Sequence, residues 1–287
     1  MSELRLSNGI VEVGIPLGFG PRVMRYGFIG EPSILAPADA ARITPAGLWR
    51  AYGGHRLWAA PERFPETYTL DDAPPQVERR SEASATVRAS PPGAGLCVEI
   101  GVRLVPGSSE AVIEHVLTNT GDGARELAPW GISVVRPNGV AVIPNPRYRP
   151  QPEALLPVRT VALWGYTDLA DGRFAAGPSF VRLRCDPANA APIKLGVACE
   201  RGWCAYVSDG VAFVVRAPLR TDAVYPDLGS SIELYSEGAF FEVETLGPLA
   251  HLAPGESTRH SVRWSLVRVD ADDDATLARA LGQDAGA

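Results

Sequence analysis

Ser231-Ile232-Glu233-Leu234-Tyr235 and Phe240-Phe241-Glu242-Val243-Glu244-Thr245 flank Glu237-Gly238. Two extended-type runs around a glycine turn predict a β-hairpin. Side chains alternate between faces along a strand, so Glu242 and Glu244 share one face with Phe240. Phe241, Val243 and Thr245 take the other. Two carboxylates about 6.5–7 Å apart on one face are costly to bury without partners. They belong either to a solvated face or to a polar cleft. Phe240 on their face and Glu233 on the preceding strand shift the expectation toward a cleft.

The same texture extends outward from this hairpin. Runs at 203–207 and 211–215 flank Ser208-Asp209-Gly210, whose Asp-Gly supplies the positive φ of a tight turn. Residues 96–104 and 111–118 read as strands, the second stopped by Asn119-Thr120-Gly121-Asp122-Gly123. Residues 9–13 open the pattern and 260–269 close it. Helical periodicity is confined to 273–281, where acidic residues suit the start of a helix and Gly282 its end. The 26 prolines disfavour helices elsewhere. No repeat and no low-complexity linker divides the chain. The sequence predicts an all-β fold: a large antiparallel β-sandwich with one short C-terminal helix, residues 1–287 forming one domain.

Composition narrows the function. The 27 cationic and 33 acidic residues give a net charge of −6, which argues against a nucleic-acid partner. No apolar run approaches the roughly 18 residues needed to span a membrane. The N-terminus has no basic stretch followed by an apolar one, so a cytoplasmic protein is expected. Cys97, Cys185, Cys199 and Cys204 form no Cys-x-x-Cys pair and read as buried free thiols. There is no phosphate loop, no dinucleotide fingerprint, no nucleophile elbow and no histidine spacing of a metal site. No cofactor and no metal are expected, and the chemistry must come from a dispersed constellation.

Two further segments stand out. Tyr52-Gly53-Gly54-His55-Arg56-Leu57-Trp58-Ala59-Ala60-Pro61-Glu62 holds an imidazole, a guanidinium, an indole and a carboxylate within eleven positions. An indole face stacks on a sugar ring while Arg and His bond its hydroxyls. A half-buried Trp after a Gly-Gly bend is the plainer alternative. Lys194, in Pro192-Ile193-Lys194-Leu195-Gly196, is the one lysine of the chain. A compact point charge that arginine does not mimic would account for it, as would chance. His115, His251 and His260 read as structural or surface residues.

Taken in order, these segments resemble a family within the galactose mutarotase-like (aldose 1-epimerase-like) superfamily. The resemblance rests on Tyr52 to Glu62, Ala128-Pro129-Trp130-Gly131, Lys194-Leu195-Gly196 with Gly202-Trp203, Tyr225-Pro226-Asp227, and Glu242 to Pro248 with Leu252-Ala253-Pro254-Gly255-Glu256-Ser257. It runs to about residue 269. It implies a β-supersandwich with a carbohydrate cleft on a concave face, and a small-molecule carbohydrate as partner. It implies Glu244 as general base, taking the proton of the anomeric hydroxyl while an acid protonates the ring oxygen. Trp130 stands about where the family's acid histidine would be, and an indole is no acid. His55 and Lys194 are the substitutes within reach. Arg56, Trp58, Glu62, Trp130, Asp227 and Glu242 are expected to bind the sugar. The implied function is carbohydrate binding with aldose 1-epimerase (mutarotase)-like isomerase activity. The alternatives are a non-catalytic carbohydrate-binding module, for which Arg56 and Lys194 would favour a sugar acid, and a lyase or isomerase of acidic sugars.

Overall fold

A computed structural model describes residues 2–281. The chain forms strands β1 Glu3–Ser7, β2 Val11–Pro16, β3 Arg25–Phe28, β4 Ala41–Thr44, β5 Gly47–Arg50 and β6 His55–Ala60. Then follow β7 Gln76–Ser81, β8 Ser84–Ala89, β9 Leu96–Leu104, β10 Ala111–Asn119, β11 Arg125–Val134 and β12 Val140–Pro144. The next are β13 Val161–Leu163, β14 Phe174–Ala176, β15 Phe180–Arg184, β16 Ile193–Val197, β17 Trp203–Ser208 and β18 Val211–Arg216. Last come β19 Ile232–Glu237, β20 Phe240–Leu246, β21 Ala250–Leu252 and β22 Ser257–Arg268.

Two large antiparallel sheets carry the fold. One is ten-stranded, in the order β14-β15-β12-β17-β18-β22-β10-β9-β8-β7. The other runs β13-β16-β19-β20-β11-β21, with β6 paired to the free side of β11. A three-stranded sheet β1-β2-β3 and the hairpin β4-β5 complete it. Alternation explains the layering: β9 buries every second residue, Leu96, Val98, Ile100, Val102 and Leu104. These pack in the main core with Tyr26, Phe213 and Trp264, whose rings lie within 5.9 Å of one another. Asp209 and Gly210 take φ values of 49° and 73° in the two-residue turn between β17 and β18. The turn of the β19-β20 hairpin is Gly238-Ala239, one residue later than Glu237-Gly238. Three of the four thiols are buried and all four are free.

The C-terminal helix is Asp274–Ala280. Asp273 caps it by accepting a hydrogen bond from the Thr276 N–H at 3.0 Å. Leu277, Ala278 and Leu281 pack with Phe180 and Trp203 on the outer face of the ten-stranded sheet. Gly282, expected to end this helix, lies outside the described residues. Among the described residues no helix is long and apolar enough to cross a membrane.

One bend places the cleft strand. Gly53 and Gly54 have φ values of 83° and 66°, and an added Cβ would lie 2.3 Å from the Ala36 carbonyl oxygen and 2.4 Å from that of Val23. Both carbonyls belong to segments that pin the start of β6: Val23 exchanges backbone hydrogen bonds with His55, and the Gly54 N–H donates to Ala36. Gly54→Ala is therefore expected to cost about 3 kcal/mol or more in urea unfolding. A loss below about 1 kcal/mol would show that the bend is not fixed by this contact.

Candidate functional site

The outer face of the seven-strand sheet carries the candidate residues, and register explains which ones meet. Directly opposed residues of adjacent strands point to the same face. One row therefore runs Arg56, Ile132, Glu244, Glu233, Gly196 across β6, β11, β20, β19 and β16. A second runs Val134, Glu242, Tyr235, Lys194, and a third Trp58, Trp130, Leu246. The face shared by Glu242 and Glu244 thus extends over five strands.

These rows floor a cleft of about 960 Å³. Arg56, Trp58, Trp130, Lys194 and Glu242 line it, and Glu62 stands at the end of β6. Trp49, Tyr68, Trp164, Tyr166, Tyr235 and Phe240 supply most of the walls. Trp58 is the hub of one aromatic cluster, with ring centroids 5.4 Å from Trp49, 5.0 Å from Tyr68 and 5.5 Å from Trp130. Tyr68 donates its hydroxyl hydrogen bond to Glu62.

Two ion-paired centres sit in the floor. Arg56 stacks over Trp58, 4.3 Å from the ring centroid, and its Nη2 lies 2.9 Å from Glu242 Oε1. That contact is at ion-pair distance without hydrogen-bond alignment, so Glu242 Oε1 and Arg56 Nε and Nη1 have no hydrogen-bond partner although buried. Burial pushes the Glu242 carboxyl above the usual range, and the Arg56 charge offsets part of this. In the second centre Lys194 Nζ lies 2.8 Å from Glu233 Oε2 and 3.0 Å from Glu244 Oε2. Its ammonium sits between the rings of Trp130 and Trp164, 4.6 and 4.7 Å from their centroids. The Trp130 indole N–H donates to the same Glu244 oxygen at 2.7 Å. Burial alone would lower the Lys194 ammonium, but Glu244 and Glu233 outweigh it and hold it above its ordinary value. Glu233 and Glu244 are fully buried, Glu244 beneath the Lys194 and Trp130 side chains that bond it.

His55 requires a correction. Expected as a candidate acid, it lies one position from Arg56 in β6 and so points the other way, into the space between the sheets. Its Nδ1 is 2.9 Å from Ser133 Oγ, its Nε2 is 2.7 Å from His115 Nε2, and its ring meets Trp264 edge-on. Burial, with the nearby Arg56 and Arg22 charges, pushes the imidazole down to about 3. It is neither within reach of the cleft nor protonated at neutral pH. Asp227 does not line the cleft either. It sits beside it in the turn Pro226–Gly229, where Asp227 and Leu228 take φ values of 49° and 59°. There partial burial pushes its carboxyl above the usual carboxylate range.

Several contributors have no clear signal in the sequence. Glu233 reads there as a neighbour of the carboxylate pair but not as a member of the site, although the hairpin register pairs it with Glu244. Trp49, Trp164 and Tyr166 come from β5 and from the loop after β13, and no local pattern assigns them to a cleft. Among the described residues no group of three or more His, Cys, Asp and Glu side chains is arranged to hold a metal ion.

No family model matches the sequence, and no curated protein matches it. Solved structures do match. A galactose mutarotase-like protein from Lactobacillus casei aligns over 92% of this chain and 100% of its own, at 10% identity and a TM-score of 0.56. The chain has the galactose mutarotase-like fold. A proposed aldose 1-epimerase from Escherichia coli K12 aligns over 93% of this chain and 99% of its own, at 11% identity and a TM-score of 0.58. A TPR-domain containing protein from Parabacteroides distasonis gives 16% identity and a TM-score of 0.63, over 94% of this chain and 48% of its own. At such identities the likeness is one of fold, and the site must be argued from its own residues.

Proposed function

We propose that the protein recognises a carbohydrate in this cleft and interconverts its anomers. One observation carries the recognition. Aromatic walls surround a floor on which buried polar atoms lack partners: Arg56 Nε and Nη1, Trp49 Nε1 and Glu242 Oε1. Aromatic faces take the apolar faces of a sugar ring, and hydroxyls both donate to the carboxylate and accept from the guanidinium and indole. A neutral sugar fits this floor better than the sugar acid expected from Arg56 and Lys194. Each of these cations already faces a carboxylate, and Asp39, Glu62 and Glu237 line the cleft against only Arg42 among the remaining charges.

For turnover, Glu244 is the base. Trp130 and Lys194 hold its Oε2, while Oε1 has no hydrogen-bond partner. Lys194 and Trp130 cover it, so the base meets the sugar once the Lys194 side chain swings from between its two indoles. Lys194 thus acts as a gate and counter-charge rather than as the acid.

Melting-temperature shifts with a panel of neutral aldoses test recognition. Anomeric exchange followed by magnetisation-transfer NMR tests turnover, with Glu244→Gln expected to lower the rate at least about 100-fold. A panel without any shift removes the carbohydrate reading. Binding without exchange removes the isomerase and leaves a binding protein.

A further inference from the structure

The cleft is larger than one sugar ring needs. Its volume is about 960 Å³, of which a single hexose fills only a small part. Its floor crosses five adjacent strands, from Lys194 on β16 to Arg56 and Trp58 on β6. Four interstrand steps span about 19 Å, more than twice the width of a pyranose ring. The walls stand over opposite ends of this floor. Trp164 lies against Lys194, whereas Trp49 and Tyr68 lie against Trp58. Turnover at Glu244 places the reacting ring beside Lys194, Trp130 and the Trp164 wall, because Lys194 and Trp130 are the groups that bond and cover this carboxylate. The end of the cleft at Trp58 and the β4-β5 hairpin is then left unfilled.

Arg42 shows what that end is built to bind. This exposed residue of β4 lines the cleft. Its guanidinium lies over the Tyr68 ring, 4.7 Å from the centroid, and 5.8 Å from that of Phe64. Arg56 and Lys194 face carboxylates, but the Arg42 guanidinium has neither an ion-pair nor a hydrogen-bond partner among the described residues. Stacking therefore holds a fork of N–H donors in place at the cleft and leaves it unused. Tyr68 also donates its hydroxyl hydrogen bond to Glu62, so one ring carries a donor fork over its face and a carboxylate at its edge. Neighbouring hydroxyls of a sugar accept from such a fork and donate to such a carboxylate. Trp58, next to Tyr68, is half-buried and keeps part of its apolar surface open to the cleft.

We propose that the β4-β5 end of the cleft is a second sugar subsite, and that the substrate is a reducing disaccharide or longer oligosaccharide rather than a free monosaccharide. This rests on the carbohydrate reading. The reducing unit sits at Glu244. The rest of the glycan leads away past Trp130, Trp58 and Tyr68, whose centroids follow one another at 5.5 and 5.0 Å, and its hydroxyls meet Arg42. The second unit is neutral, since an anionic one would gain Arg42 but face Asp39 and Glu62 in the same cleft.

Calorimetric titration decides this, with maltose, cellobiose and lactose compared against glucose, and galactobiose against galactose. At least one disaccharide is expected to bind the wild type about 10-fold or more tighter than the monosaccharide at its reducing end. In Arg42→Ala that ratio should fall to about 2 or less. Arg42 is exposed, so the substitution leaves the core untouched. Disaccharides that all bind no tighter than their monosaccharides would overturn the subsite and leave the carbohydrate reading standing. A ratio unchanged in Arg42→Ala would overturn its assignment to the hairpin. Binding of none of these sugars would remove the carbohydrate reading and the subsite with it.

Discussion

Lys194→Met is expected to destabilise the protein by about 3–5 kcal/mol at neutral pH, the usual cost of removing one partner from a buried ion pair. The side chain is volume-matched, so the loss reads charge rather than packing. Lys194 faces Glu233 at 2.8 Å and Glu244 at 3.0 Å, and no other cation touches either carboxylate among the described residues. The deficit should depend on pH in a stated direction. Glu233 is already pushed up by burial, and the variant removes the charge that opposes this. A carboxyl whose folded pKa lies above its unfolded value contributes stability that is present at low pH and lost as pH rises through the folded value. The gap between variant and wild type should therefore be small near pH 5 and wide near pH 8 in urea unfolding. Adding Glu233→Gln to Lys194→Met should recover part of the loss at pH 8 and little at pH 5. A deficit that is flat with pH would mean that Lys194 acts through packing between Trp130 and Trp164, not through charge.

The parity rule shows where the sequence is legible. Applied to β20, it places Glu242 and Glu244 on one face from residue order alone, and both are there, Glu242 lining the cleft and Glu244 buried beneath Lys194 and Trp130. Read as a loop, the segment 52–62 escapes the rule. As a strand, 55–60 puts Arg56 and Trp58 on one face and His55 and Leu57 on the other. Parity then excludes His55 from a site containing Arg56. Gly53-Gly54 hides this, because the left-handed bend ends where β6 begins. Glu233 needs one more step, the hairpin register, which depends on whether the turn is centred at 237–238 or 238–239. Moving the turn by one residue moves every partner by two and keeps its face, so a turn at 237–238 would set Glu233 opposite Glu242, whereas the turn at 238–239 sets it opposite Glu244. Asp227, Trp49, Trp164 and Tyr166 are beyond such rules. Turns and non-adjacent strands place them, and their spacing in the chain carries no record of that proximity. The three histidines that read as structural or surface residues divide cleanly. His115 and His260 are buried, and His251 is exposed beside Glu126, its Nε2 at 2.7 Å.

The buried imidazoles set the second large effect, a loss of stability in acid that His55→Gln should relieve. His115 Nδ1 faces the His260 carbonyl oxygen at 3.1 Å, and a carbonyl only accepts, so this nitrogen carries the proton. His115 Nε2 is then the acceptor, which makes His55 Nε2 the donor across 2.7 Å and His55 Nδ1 the acceptor from Ser133. Every ring nitrogen in the chain of bonds is committed, and a further proton has no place without breaking one. Gly131 leaves room for this arrangement, since an added Cβ there would lie 3.0 Å from His115 Cε1. Burial pushes His55 down to about 3 and His260 down to about 4, and holds His115 well below its usual value. A histidine with a lowered folded pKa binds more protons when unfolded, so its contribution falls as pH drops below the unfolded value of about 6.5. For His55 the slope is at most about 1.4 kcal/mol per pH unit between roughly 6.5 and its folded value. Glu233 and Glu242 act oppositely over part of this range, because their raised pKa values add stability as pH falls. The wild-type curve alone is therefore a difference of two trends, and the variant separates them. Glutamine retains hydrogen-bonding groups toward Ser133 and His115 but does not titrate. His55→Gln should be less stable than wild type at pH 7, and the gap should close by about 2 kcal/mol on going to pH 5. A gap of constant width would show that His55 is not held neutral in the fold, and the chain of committed nitrogens would fall with it.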